Sequence, residues 1–163
     1  MRAAVLATVA VAATAAVACE EPEDGRCGPS HGVVTRIVDG DTVELETGET
    51  LRFLMVDTPE TTSGATDCYG QEAKAYTTSL LLDQEVTLEY DVECEDRYGR
   101  LLAYVSVAGR EINTLLVERG YACVLHIPPN GEDRVTEFET LEYQARSLGV
   151  GVWGACEEVT CAN

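Results

Sequence analysis

The stretch RFLMVDTPE, residues 52–60, opens an apolar run with an arginine and closes it with two carboxylates, Asp57 and Glu60, on either side of a threonine and a proline. Shortly before it, Asp39 and Asp41 flank Gly40 in a second acidic segment, DGD. Four carboxylates gathered in one place repel and raise one another's pKa unless a cation offsets them. A hard cation such as Ca²⁺ or Mg²⁺ does this, because it accepts carboxylate, carbonyl and water oxygens alike. A DGD turn alone is more often a solvated surface turn, so the chemistry depends on whether the chain brings the two acidic segments together.

Three strands decide that. Residues 33–38, 42–47 and 50–56 are apolar or alternate apolar with polar positions, and Gly48-Glu49 reads as a two-residue hairpin turn between the last two. In that register residue 47 pairs with residue 50, Asp41 falls opposite Val56, and Asp41 and Asp57 share the open end of one hairpin. Arg52 does not follow. At about 3.3 Å per residue it lies about 16 Å from Asp57 along a straight strand, and the odd spacing sends it to the opposite face. It reads as a surface charge unless the strand from Leu51 to Val56 curls or bulges.

The rest of the chain supplies the frame. Residues 69–83 carry Ala73, Tyr76 and Leu80 at helical spacing, and 85–92 and 101–107 read as strands. A short helix over 112–120 ends at Gly120, YACVL is a brief extended piece, and a last helix over about 134–148 aligns Phe138, Leu141, Ala145 and Leu148. Five strands and three α-helices make an α+β pattern, and closing the strands into a five-stranded OB-fold β-barrel removes their exposed edges.

Before this body, residues 1–18 hold one cation, Arg2, and a small-apolar run that fits a secretory signal peptide. A transmembrane anchor is the rival, although the run is rich in alanine and threonine and at the lower limit for a span. AVAC followed by the acidic EEPEDG resembles a bacterial lipobox, which would make Cys19 a lipidated first residue and residues 19–32 a polar tether. Seven cysteines are an odd number, and lipidation of Cys19 leaves six for three disulfides. Cleavage near Cys19 with one thiol left over is the alternative. Zinc is disfavoured, since no C-x-x-C pair occurs and the only histidines are His31 and His126. The domain is expected over residues 33–155, with a cysteine-bearing tail at 156–163.

Eleven Lys and Arg stand against 29 Asp and Glu, a net charge of −18. Such a field repels nucleic acid and anionic membranes, so an anionic substrate has to be held locally, by a metal ion or a few arginines.

The runs IVDGDTV, LRFLMVDTPE, YGQEA, DRYGRLLAYV, INTLLVERGYA and LGVGVW occur in the order and spacing of the staphylococcal-nuclease (thermonuclease) family, which the chain resembles over about residues 33–153. The resemblance implies an OB-fold, Ca²⁺-dependent phosphodiesterase of DNA and RNA, cutting within chains, favouring single-stranded or unpaired regions and leaving 3′-phosphate ends. It assigns Asp41 and Asp57 as metal-binding carboxylates, the main-chain carbonyl of Thr58 as a further ligand, and Asp39 as an outer acid. Glu60 matches the general base, Arg52 and Arg100 the two phosphate-binding catalytic arginines, and Arg97 and Tyr98 the nucleotide pocket. His126 and Pro128 stand where the type member has two pocket tyrosines, and His126 is a candidate for stacking on a base. By position in the family fold, the cysteines are expected to pair as Cys68–Cys94, Cys123–Cys156 and Cys27–Cys161.

An exported monomer follows, either secreted or held at a bacterial cell envelope through Cys19. Two rivals remain: a catalytically weak OB module that binds nucleic acid or a protein partner, and a structural surface lipoprotein. Both leave the set Asp41, Asp57, Glu60, Arg52 and Arg100 without a purpose.

Overall fold

The computed structural model describes residues 27–61 and 67–159. The expected signal peptide, Cys19, most of the tether, residues 62–66 and Cys161 lie outside the described residues. The strands are β1 (His31–Asp39), β2 (Thr42–Leu45), β3 (Thr50–Phe53), β4 (Met55–Asp57), β5 (Glu85–Glu95), β6 (Leu101–Val107), β7 (Arg110–Glu111) and β8 (Cys123–Leu125). The helices are α1 (Gly70–Leu81), α2 (Ile112–Glu118), α3 (Val135–Leu148) and the single turn α4 (Val152–Ala155).

The first three strands and β5 and β6 form the expected closed barrel. Neighbours run β3-β2-β1-β5-β6, and Leu51, Arg52 and Phe53 then pair in parallel with Leu101, Leu102 and Ala103, so the last strand meets the first. Closure leaves no open edge among these five. Alternate positions point inward: Val34, Val43, Leu45, Leu51, Phe53, Val86, Ala103 and Val105 are all buried. A large side chain of this kind contributes about 1.5–3 kcal/mol when it leaves water. Ala73, Thr77 and Leu81 form the buried face of α1, while Ile112, Leu115 and Leu116 of α2 join the core with Phe138 of α3.

The β2–β3 register differs from the expected one. Thr42 pairs with Arg52, Val43 with Leu51 and Glu44 with Thr50. Leu45 N–H donates to Glu49 O at 2.9 Å and Gly48 N–H to Leu45 O at 3.0 Å, with Gly48 at φ 98°. This is a three-residue hairpin loop whose last residue needs the left-handed conformation, which glycine supplies. Asp41 therefore lies opposite Phe53, whose N–H donates to Asp41 O at 2.9 Å, and not opposite Val56.

The expected single strand over residues 50–56 is two strands joined at a corner. Met55 adopts φ 64°, which costs a non-glycine residue about 1–2 kcal/mol. The corner's backbone is nonetheless satisfied: Leu54 N–H donates to Ala103 O at 3.0 Å, and Leu54 O accepts from Asn113 Nδ2 at 2.8 Å. Asn113, fully buried, also accepts Val105 N–H at 2.9 Å. Past the corner, β4 leaves the barrel to pair with β8, Met55 against Leu125 and Asp57 against Cys123.

The disulfides correct the expected pairing. Cys27 is bonded to Cys94 and Cys68 to Cys156, in place of Cys68–Cys94, Cys123–Cys156 and Cys27–Cys161. Cys123 is disulfide-bonded too. The reason lies in how the ends run. The chain before β1 continues along β5, with Leu88 N–H donating to Ser30 O at 2.8 Å and Tyr90 Oη to Pro29 O at 2.9 Å, which carries Cys27 toward Cys94. Residues 27–32, expected as part of a tether, are thus held to the barrel. At the other end, Val152 N–H donates to Gly120 O, and the neighbouring Tyr121 stacks on Tyr69 and Tyr76 of the α1 region, so Cys156 returns beside Cys68.

Candidate active site

Two turns and the corner build the site. The β1–β2 turn carries Asp39, Gly40 and Asp41, and α1 pins it: Thr77 Oγ1 donates to Gly40 O at 2.5 Å and Lys74 Nζ to Val38 O at 2.9 Å. Thr58 packs so closely on this turn that a Cβ at Gly40 would come within 2.8 Å of its side chain. Glycine is required there by the approach of the two segments.

Asp41 is buried, 5% exposed, and its lone pairs are almost all used. Oδ1 accepts from Thr42 Oγ1 at 2.9 Å, and Oδ2 accepts from Thr58 N–H at 2.8 Å and Thr58 Oγ1 at 3.1 Å. Arg52 Nη2 lies 3.2 Å from the same Oδ2 and 3.1 Å from Asp57 Oδ1. Its Nη1 donates to Val56 O at 2.6 Å and Phe53 O at 3.0 Å, so the guanidinium ties together the carbonyls of the corner that places it. Asp41 and Asp57 meet on Arg52 through the corner at Leu54-Met55 and not through the hairpin register expected for the two carboxylates, and this corner is the bend in the strand that Arg52 requires.

Asp39, also 5% exposed, lies beside this cluster and serves the chain after it: Thr61 N–H and Oγ1 donate to its Oδ2 and Oδ1 at 3.2 and 3.0 Å. Glu60 follows Thr58 and Pro59 with its side chain exposed and its backbone bonded to Asp67.

Arg52 also lines a cleft of about 490 Å³ shared with Arg97, Tyr98 and Arg100. Asp96 organises that far wall. Its carboxylate accepts from Arg100 Nε at 2.7 Å and from the backbone N–H groups of Tyr98 and Arg100 at 2.9 and 3.1 Å. Burial pushes the Asp96 carboxyl up, but these hydrogen bonds, led by the Arg100 side chain, outweigh it and hold the group below its usual range. Tyr98 is 68% exposed, with the guanidiniums of Arg97 and Arg100 within 4.8 and 5.5 Å of its ring centre.

His126 does not line the cleft, and neither does Pro128. Leu125 and Ile127 do, one position out of step with the expectation, because alternation from β8 turns the odd-numbered side chains to the cleft. His126 Nε2 is buried with no hydrogen-bond partner among the described residues. Base stacking on His126 is therefore not supported by its position. Asp96, Asn113, Leu125 and Ile127 were not singled out in the sequence. A polar Asn113 within the apolar INTLLV run was the one available signal for them.

Among the described residues, no group of three or more His, Cys, Asp or Glu side chains is arranged to hold a metal ion. A cation here would draw on two carboxylates, Asp41 and Asp57, plus neutral oxygens. That all-oxygen set suits a hard divalent ion. Electrostatics agree, since the single guanidinium of Arg52 faces two carboxylates and leaves the cluster net negative.

A barrel closed by a parallel β3–β6 pairing, with carboxylates and arginine at one corner and more cations across a cleft, defines an OB-fold site suited to a phosphate ester. The family described as "Staphylococcal nuclease homologue" matches residues 50–155. Thermonuclease of Staphylococcus intermedius is 36% identical over 126 residues, 74% of this chain and 74% of its own length. Thermonuclease of Staphylococcus hyicus is 38% identical over 125 residues, 74% of this chain and 73% of its own. Endonuclease YncB of Bacillus subtilis (strain 168) is 33% identical over 131 residues, 77% of this chain and 62% of its own. The chain belongs to the staphylococcal nuclease family.

Proposed function

We propose that the protein is a Ca²⁺-dependent nuclease that hydrolyses phosphodiester bonds within DNA and RNA, leaving 3′-phosphate ends. Nuclease activity itself is what its relatives carry in their names, thermonuclease and endonuclease. The observation that carries the finer reading is the Arg52 guanidinium, in contact with Asp41 and Asp57 and at the same time lining the cleft that holds Arg100.

Hydrolysis adds a nucleophile to an anion, so the site must stabilise charge that grows in the transition state. Arg52 and Arg100 offer planar, multi-donor guanidiniums from two walls of one cleft, suited to non-bridging phosphate oxygens. Their acid partners, Asp57 and Asp96, keep each fork oriented before substrate arrives. Glu60, exposed and next to Pro59, takes the proton of the attacking water, directly or through a second water. Asp41, Asp57 and the main-chain carbonyl of Thr58 would hold Ca²⁺, with Asp39 outside them; when bound, the ion supplies Lewis-acid stabilisation of the phosphate. Arg97 and Tyr98, at the cleft mouth, contact the nucleotide, where an exposed ring stacks on any base.

All five described cysteines are disulfide-bonded, which supports an oxidising, extracytoplasmic location. The reading includes export, as a monomer, either secreted or anchored through Cys19.

The test incubates the purified protein with single-stranded DNA and RNA, with Ca²⁺ or a chelator, beside Glu60→Gln and Arg52→Ala. Cleavage by the wild type that the chelator abolishes and that either substitution lowers by about 100-fold or more supports the reading. Binding without cleavage under every condition would instead mark a non-catalytic OB module.

A further inference from the structure

We propose that Asp67 is a positioning residue for Glu60 and that the Cys68–Cys156 bridge anchors it; the inference rests on Glu60 being the base. The two residues, seven apart in sequence, are joined reciprocally: Glu60 N–H donates to Asp67 Oδ2 at 3.3 Å, and Asp67 N–H donates to Glu60 O at 3.0 Å. At 3.3 Å the bond to the carboxylate is a long one, and it is the reciprocal pair that holds the Glu60 backbone in place.

Asp67 is itself fixed from behind. Its carbonyl accepts Gly70 N–H at 3.1 Å at the start of α1, and the next residue, Cys68, is covalently tied to Cys156 beyond α4. A Cβ at Gly70 would lie 2.9 Å from both the Pro59 and Glu60 carbonyl oxygens, so the helix start abuts the backbone that carries the base. On the other side, Thr61 is held by Asp39 through two hydrogen bonds. Glu60 thus belongs to neither strand nor helix, yet its backbone is gripped at both peptide groups.

The need for such a grip is physical. A base on an exposed turn loses rate when it strays from attack geometry, and displacements of about 1 Å can cost about 100-fold. Asp67 acts through the Glu60 main chain. The disulfide transmits the rigidity of the body to a segment that no strand pairing secures.

Steady-state kinetics decide the matter, with melting curves to show that each variant is folded at the assay temperature. Asp67→Ala is expected to lower kcat by about tenfold with KM nearly unchanged. Asp67→Asn, which keeps an acceptor oxygen, is expected to restore most of that rate. In the Glu60→Gln background Asp67→Ala should cost nothing further, because the base through which it acts is gone. The pair Cys68→Ser, Cys156→Ser leaves Asp67 in place and should lower kcat in the same direction. A wild-type kcat in Asp67→Ala, a full additional loss in the Glu60→Gln background, or equal losses in Ala and Asn would overturn the positioning role. Unchanged kcat in the double serine variant overturns the anchor. A Glu60→Gln enzyme at wild-type rate overturns the base assignment itself and is visible before any Asp67 variant is compared.

Discussion

Arg52 carries two tasks through one planar group. It contacts Asp41 and Asp57 and caps the Phe53 and Val56 carbonyls, with its side chain only 12% exposed. Removing it takes the guanidinium from two largely buried carboxylates, a loss of about 3–5 kcal/mol for a broken buried pair. Arg52→Ala should therefore lower both the denaturation midpoint and kcat, the latter by about 100- to 1,000-fold as for other removed charge-stabilising donors. Arg52→Lys returns the charge but not the fork, and should recover more stability than rate, as paired urea melts and kinetics would register. Asp96 gives a pH prediction. Its carboxyl is held low in the folded state, so its stabilisation is present above the unfolded value near 3.8 and is lost as pH falls through the folded value. The stability gap between wild type and Asp96→Asn should be constant near neutrality and shrink below about pH 4, measured by denaturant melts across the acid range.

At the scale of elements, the corner between β3 and β4 decides the site. The five strands and three main helices were legible from periodicity, because burial on one face imposes a period of two or near 3.6 whatever the tertiary contacts. The register was not legible: Gly48 fits a two-residue or a three-residue loop, and only backbone geometry tells which. The corner was legible only as a requirement, since Arg52 and Asp57 cannot meet along a straight strand. Nothing in Leu54-Met55 announces a left-handed residue, and the stabilising partner, Asn113, is 59 positions away from Leu54. The disulfides were misassigned for a similar reason, since pairing depends on where the chain ends run beside β5 and α1. Asn113→Ala would orphan the Leu54 carbonyl and the Val105 N–H in the core. We expect a loss of about 3 kcal/mol in urea unfolding, from two unsatisfied buried groups, together with reduced kcat as the corner relaxes.

On the scale of the whole molecule, two disulfides among the described residues span 67 and 88 residues, one tying Cys27 to β5 and the other tying Cys156, after α4, to the segment before α1. Each long loop closed in the unfolded state contributes about 2–4 kcal/mol. Reduction should thus lower the thermal midpoint markedly, and Cys27→Ser with Cys94→Ser should lower it too, read by calorimetry. A net charge of −18 opposes any polyanion, so productive binding has to come from local cations at the corner and cleft. The most direct measurement is the chemistry of the ends made from an oligonucleotide. With Ca²⁺ the wild-type protein should yield internal cuts bearing 3′-phosphate and 5′-hydroxyl termini by mass spectrometry, and a chelator should abolish them. Intact substrate in the presence of Ca²⁺, or products ending in 3′-hydroxyl, would contradict the account.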